Sequence, residues 1–138
     1  MVEWSIAQKL MDCFPYSFIN DNGEFIAHQE ANEYFILRTC ETELDVKCKV
    51  LEWFSRAAYK SQPFGQRKSK VFRAFMLDGI NQFLGTSFTV EDMDPIYTYL
   101  GNAVNHAKTV RFIESGYDLA VLAEASQREE GQSKTAPG

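Results

Sequence analysis

The chain of 138 residues is long enough to form one domain with a buried core that needs no disulfide or metal. Its composition is globular, with 45% hydrophobic and 14% aromatic residues and a formal net charge of -5. The three cysteines form no CxxC pair, no secretory signal opens the chain, and no apolar run approaches the roughly 18 residues of a membrane helix. These features exclude a disulfide scaffold and a membrane protein, and they predict a soluble protein in a reducing cytoplasm.

The N-terminal part of the sequence predicts a helix followed by a small sheet. Helical spacing runs from residue 2 to residue 14, before Pro15, through the apolar residues Trp4, Ala7, Leu10, Met11 and Phe14. Two short aromatic and β-branched runs then flank the sequence NDNG at 20–23, in which Asn-Gly suits the positive φ of a hairpin turn. A third run at 33–40 completes a predicted three-stranded antiparallel β-meander with one buried face.

A long amphipathic helix is predicted over residues 42–61. Thr42 and Asp45 have the spacing of a capping box at its start. Its apolar stripe is expected to cover the sheet. The solvent face is predicted to carry Glu52 between three basic residues, Lys49, Arg56 and Lys60.

The C-terminal half is predicted to be helical, with helices that end near residues 84, 100, 115 and 127. Thr89 and Asp92 form a second candidate capping box, although Asp94 followed by Pro95 is an alternative helix start. Asn105 and Asp118 are predicted to cap the last two helices. The fold is therefore predicted to be α+β. A single domain is expected over 1–127, followed by a disordered polar tail over 128–138.

The segment from Thr89 to Asp118 has the outline of a DNA-binding helix-turn-helix, because a Leu-Gly break separates two helices. The link between them is longer than the fixed turn of that motif, and the segment has five acidic residues against two basic ones. Its second helix offers three side chains for DNA contact, Lys108, Thr109 and Arg111, and its apolar residues indicate burial. An αα-hairpin packed on the core is therefore the favoured interpretation.

Charge is divided strongly along the chain. Residues 1–45 hold nine acidic residues against two basic ones, whereas residues 46–77 hold eight basic residues against one acidic residue. The opposite charges either neutralise each other in the fold or form a two-sided surface that steers association. On the second interpretation, the acidic residues predicted to bind a protein partner are Asp21, Glu24, Glu30, Glu33, Glu91, Asp92 and Asp94. The basic residues that form an alternative nucleic-acid surface are Lys49, Arg56, Lys60, Arg67, Lys68, Lys70 and Arg73.

The sequence predicts no catalytic, cofactor or metal site. Its two histidines have no neighbours at zinc-ligand spacing, and it contains no phosphate-binding glycine motif. Cys13 and His28 are the least implausible thiol pair, but no third group to orient them is visible. The carboxylates at 91–94 are explained by the start of a helix, where negative charge is favourable.

Two stretches, ETELDVKCKVLEWFSRAAYKSQPF at 41–64 and MDPIYTYLGNAVNHAKTVRFIESGYDLAVL at 93–122, resemble small proteins encoded by phages and prophages of Gram-positive bacteria. The resemblance implies the cytoplasm of a host bacterium. Small acidic phage proteins without catalytic motifs are often inhibitors of host machinery, including anti-CRISPR proteins. The resemblance thus implies a non-catalytic inhibitor or modulator that binds a host or CRISPR-effector protein. The alternative is a nucleic-acid-binding accessory protein for phage replication or regulation.

Overall fold

The structure is a computed structural model that describes residues 2–27, 34–61, 76–101 and 105–123. It has the predicted α+β architecture: an N-terminal helix, a three-stranded antiparallel sheet and then helices. The predicted tail at 128–138 lies outside the described residues. In chain order the elements are α1 (Trp4–Cys13), β1 (Phe18–Ile19), β2 (Glu24–Ile26), β3 (Phe35–Ile36), α2 (Glu43–Ser61), α3 (helical residues 76–84), α4 (Val90–Gly101), α5 (His106–Glu114) and α6 (helical residues 119–123).

The helix α1 presents a narrower apolar face to the core than its sequence predicts. Ala7 and Leu10 are fully buried, and Phe14 enters the core just after the helix ends. Trp4 belongs to the apolar pattern of this helix, but its side chain is 60% exposed. Trp4 lies in the first helical position, and Val2, two residues earlier, is the core residue at this end of the helix.

The sheet has the order β1-β2-β3, and its register determines which side chains share a face. Phe25 in the central strand lies opposite both Ile19 and Phe35, and these three side chains form the core-facing side. Phe25 and Phe35 are buried, with ring centroids 5.0 Å apart. β3 is shorter than the predicted run, because the chain turns after Leu37, whose carbonyl accepts the Cys40 N–H at 2.9 Å.

The hairpin turn at 20–23 forms where the sequence predicts it, but with a different geometry. Gly23 has a φ of 72°, whereas Asn22 does not adopt a positive φ. The Gly23 N–H donates to the Asn20 carbonyl at 3.0 Å, and the Asn20 N–H donates to the Glu24 carbonyl at 3.1 Å. A three-residue loop of this kind needs the left-handed conformation only at its last residue, so the expectation for Asn22 is wrong.

The long helix α2 begins as predicted and forms the centre of the helical layer. The Asp45 N–H donates to Thr42 Oγ1, and the N–H groups of Thr42 and Glu41 both donate to Asp45 Oδ2, each at 3.1 Å. Among α1, α2, α4 and α5, the most extensive helix packing joins α2 to α4. At this interface the ring of Phe54 contacts that of Tyr97 edge-on, with centroids 5.5 Å apart.

The starts of the last helices also follow the sequence. The Thr89 N–H donates to Asp92 Oδ2 at 2.9 Å and the Asp92 N–H donates to Thr89 Oγ1 at 3.1 Å, so α4 starts at the first of the two candidate caps. Asn105 caps α5 by accepting the Lys108 N–H at 3.2 Å. Both α4 and α5 lie on α2, and the described residues of the two helices share no comparable interface. The predicted pair is therefore held mainly through α2.

Candidate functional site

The side of the sheet away from the core forms a continuous surface, which we call the outer sheet face. The register places Phe18 opposite Ile26 and Glu24 opposite Ile36 on this face. Tyr34 lies two residues before Ile36 and continues the same side of the chain. The outer sheet face consists of Phe18, Glu24, Ile26, Tyr34 and Ile36.

Three large apolar side chains on the outer sheet face are exposed. Tyr34 is 50% exposed, and Phe18 and Ile36 are each 39% exposed. Single exposed apolar residues are ordinary on protein surfaces, whereas a group of them on one sheet face makes that face a candidate binding surface. The sequence does not reveal this group, because both faces of the short strands carry apolar residues and only the strand register separates them.

Glu24 provides the charge of the outer sheet face, and its carboxylate is held by neighbouring side chains. Asn20 Nδ2 donates to Glu24 Oε1 at 2.8 Å. The hydrogen bond from Asn20 is the main reason that the pKa of Glu24 is lowered, and the neighbouring polar side chains of Tyr34 and Asn22 and the charge of Arg38 act in the same direction. Glu24 is therefore a fixed anion among exposed aromatic and aliphatic side chains at neutral pH.

The seven predicted acidic residues do not form one described cluster. Asp21 is exposed in the hairpin turn beside Glu24, whereas Glu30 and Glu33 lie outside the described residues. The other three, Glu91, Asp92 and Asp94, are exposed at the start of α4. The carboxylate of Asp92 is engaged in the helix cap, which gives it a structural role.

The predicted nucleic-acid surface is only partly described. Arg56 is exposed on α2, whereas Lys49 is half-buried near Cys40. The remaining side chains of this set, those of Lys60, Arg67, Lys68, Lys70 and Arg73, lie outside the described residues.

The structure also argues against α5 as a DNA recognition helix. Lys108 and Thr109 are both buried, and the Lys108 ammonium lies 5.8 Å from the ring centroid of Tyr99 on α4. Of the three side chains proposed for DNA contact, Arg111 alone is exposed. A recognition helix must present its polar side chains to the major groove, and α5 presents most of this set to the protein.

A polar cluster between α2 and α5 was missed by the sequence analysis. Glu52 was predicted on the solvent face but is only 6% exposed, because the start of α5 lies against it. Its Oε1 atom lies 3.5 Å from His106 Nδ1, a separation that makes an ion pair when the imidazole is protonated but is no hydrogen bond. The sequence signal was available, since Glu52 lies one helical turn after the core residue Cys48.

The cysteines lack the properties of reactive nucleophiles. Burial, followed by the charges of Glu52 and Asp45, raises the pKa of Cys48 to about 12, so its thiol is protonated at neutral pH. Burial also raises the pKa of Cys13 and of Cys40, whose Sγ donates to the Ile36 carbonyl at 3.9 Å. The suggested partner of Cys13, His28, lies outside the described residues.

Comparisons with protein-family models, with curated proteins and with solved structures each find no match. In the described part of the chain, no helix is long and apolar enough to cross a membrane. The same part contains no group of three His, Cys, Asp or Glu side chains arranged to hold a metal ion. The functional argument therefore depends on the surface chemistry of the described residues.

Proposed function

We propose that this chain is a non-catalytic inhibitor or modulator that binds a host protein through its outer sheet face. The anti-CRISPR type of inhibitor that the phage resemblance implies is the leading form of this function. The single observation that carries the proposal is the exposed apolar group of Phe18, Tyr34 and Ile36 around the charged Glu24. Aromatic residues are enriched at protein interfaces, where burial of their apolar surface supplies binding energy.

The expected partner surface is basic. The outer sheet face lies within the first 45 residues, where acidic residues greatly outnumber basic ones. Of the two basic residues there, Lys9 is paired with Glu43 at 2.8 Å, and Arg38 donates to the Asn22 carbonyl at 3.2 Å. A nuclease that holds nucleic acid has a basic channel, and an acidic protein that occupies this channel would exclude the substrate.

The proposal is tested by capture of purified Cas nucleases loaded with guide RNA on the immobilised protein. A double variant, Phe18→Ser with Ile36→Ser, should bind the nuclease about tenfold or more weakly, because it removes two exposed apolar contact residues. Val90→Ser is the matched control, because Val90 is 40% exposed but lies on α4. Unfolding in urea establishes that the compared variants are folded.

Two results would reject the proposal. One is that the native chain captures no nuclease and no other basic protein. The other is that the double variant captures a partner as well as Val90→Ser does. A gel shift with DNA and RNA at low salt belongs to the same experiment: a shift that weakens when Arg67, Lys68 and Lys70 are changed to Ala would favour the nucleic-acid alternative instead.

A further inference from the structure

The Glu24 carboxylate is fixed in position but has no cationic partner in the described part of the chain. Asn20 Nδ2 donates to one of its oxygens at 2.8 Å. Arg38 is the nearby cation, yet its Nη1 donates to the Asn22 carbonyl and it forms no ion pair with Glu24. A carboxylate has about four lone-pair sites, so Glu24 keeps the capacity to accept a further charged donor.

We propose that the outer sheet face binds an arginine side chain of the partner protein, with the guanidinium paired to the Glu24 carboxylate. This inference rests on the proposed function, because it names the chemical group that the same surface recognises. Phe18, Tyr34 and Ile36 provide exposed apolar surface on the same face, against which the arginine stem and the planar guanidinium can pack.

Arginine fits this face better than lysine for two reasons. A guanidinium is planar and donates two parallel hydrogen bonds to one carboxylate, whereas an ammonium acts as a point charge. A guanidinium also stacks on aromatic rings and loses its hydration more readily. A hydrogen bond from Asn20 already orients the Glu24 side chain, so this side chain loses less conformational entropy when the arginine binds.

The same chemistry disfavours a nucleic-acid partner at this face. The pKa of Glu24 is lowered, so its carboxylate stays charged at neutral pH, and Asp21 is exposed in the adjacent turn. Two negative charges repel a phosphate backbone. An extended basic segment of a protein is attracted by these negative charges and can place an arginine over the strands.

The inference is tested by titrating the full-length ¹⁵N-labelled protein with a capped peptide of alternating arginine and glycine, and with its lysine counterpart. The arginine peptide should shift amide signals of residues 18–26 and 34–36 and bind about fivefold or more tightly than the lysine peptide. Glu24→Gln should weaken arginine-peptide binding by about tenfold. Glu114→Gln is the matched control, because it makes the same change at an exposed position of α5 and should alter binding by less than about twofold.

The native protein supplies a second measurement that needs no variant. Binding of the arginine peptide should persist until the pH falls below the ordinary glutamate range of about 4.3, because the pKa of Glu24 is lowered. Equal affinity for the two peptides, or equal weakening by Glu24→Gln and Glu114→Gln, would overturn the inference and leave only non-specific attraction. The protein-capture experiment separates the two proposals. If the Phe18→Ser and Ile36→Ser variant loses its partner while the peptides are not distinguished, the arginine inference fails and the proposed function stands.

Discussion

At the scale of single residues, Gly23 and Gly85 share a left-handed φ of 72° but have different surroundings. A Cβ on Gly23 would lie 2.6 Å from Arg38 Cβ, whereas a Cβ on Gly85 would meet nothing within 4 Å. Gly85→Ala should therefore lower the free energy of unfolding by about 1 kcal/mol, from backbone strain alone. Gly23→Ala should lower the free energy of unfolding by at least about 1 kcal/mol more than Gly85→Ala does, because the added methyl group also clashes with Arg38 Cβ. Urea unfolding of both variants measures the difference, and equal losses would contradict the clash.

The buried thiols give a second prediction at this scale. Cys13, Cys40 and Cys48 are all buried, and burial raises the pKa of each. Because the thiolate is the reactive form, the native protein should resist alkylation by iodoacetamide near pH 8, while all three cysteines should react in denaturant. Mass spectrometry of the alkylated protein counts the modified sites. Rapid modification of Cys48 in the folded protein would show that this thiol is accessible and would reopen a thiol-based activity.

At the scale of elements, the start of α2 makes stability depend on pH. Backbone N–H groups of Glu41 and Thr42 are the main reason that the pKa of Asp45 is lowered. A carboxyl whose pKa is lower in the folded state stabilises the fold above its unfolded pKa of about 3.9 and loses that contribution as pH falls through the folded pKa. Asp45→Asn should be less stable at neutral pH and should lose less stability on acidification to about pH 3. Urea unfolding at both pH values measures this. If Asp45→Asn and the native protein lost the same stability on acidification, Asp45 would not be the cause of this pH dependence.

The contact between α1 and α3 depends on close approach at Gly79. A Cβ there would clash with the ring of Phe14 and would lie 2.8 Å from the Cys13 carbonyl oxygen. Phe14 is buried and packs edge-on against Phe25, so its ring has little room to move. Gly79→Ala should destabilise the fold by about 1–3 kcal/mol from overpacking, offset in part by about 1 kcal/mol of helix propensity. Gln82→Ala, at an exposed position of α3, should change stability by less than about 0.5 kcal/mol. A stabilised Gly79→Ala protein would show that the helices can separate.

At the scale of the whole molecule, α2 joins the sheet to the C-terminal helices. Trp53 contacts Phe35 of β3, with ring centroids 6.0 Å apart, while Phe54 contacts Tyr97 of α4. The two halves of the chain therefore share neighbouring residues of one helix. This arrangement leads to the expectation of a single cooperative unfolding transition, in agreement with the single domain that the sequence predicts.

Phe54→Ala tests this shared core. Phe54 is fully buried, and its loss should reduce the free energy of unfolding by about 3–5 kcal/mol. Arg56→Ala, at an exposed position on the same helix, should cost less than about 0.5 kcal/mol. Tryptophan fluorescence and far-UV circular dichroism should report the same shifted transition. Two separate transitions would show that the sheet and the helical half unfold independently.

The sequence by itself determined the class of the fold and the starts of most helices, because capping and turn signals act over three or four residues. Thr42 with Asp45, Thr89 with Asp92, and Asn105 all form the hydrogen bonds that their spacing predicts. It also led to the prediction that Asp21 and Glu24 belong to a partner-binding acidic surface, since charge can be counted without knowing the fold.

Only the tertiary structure decided which neighbouring helix or strand packs against each apolar face. Helical periodicity placed Glu52 in solvent, and this assignment was wrong because burial depends on the neighbouring element. For the same reason Trp4 is exposed although it belongs to the apolar pattern of α1. The apolar side chains around Glu24 became visible as one surface only through the pairing of strands that lie apart in the sequence. The packing of one element on another is a long-range property, so no local pattern could have specified it.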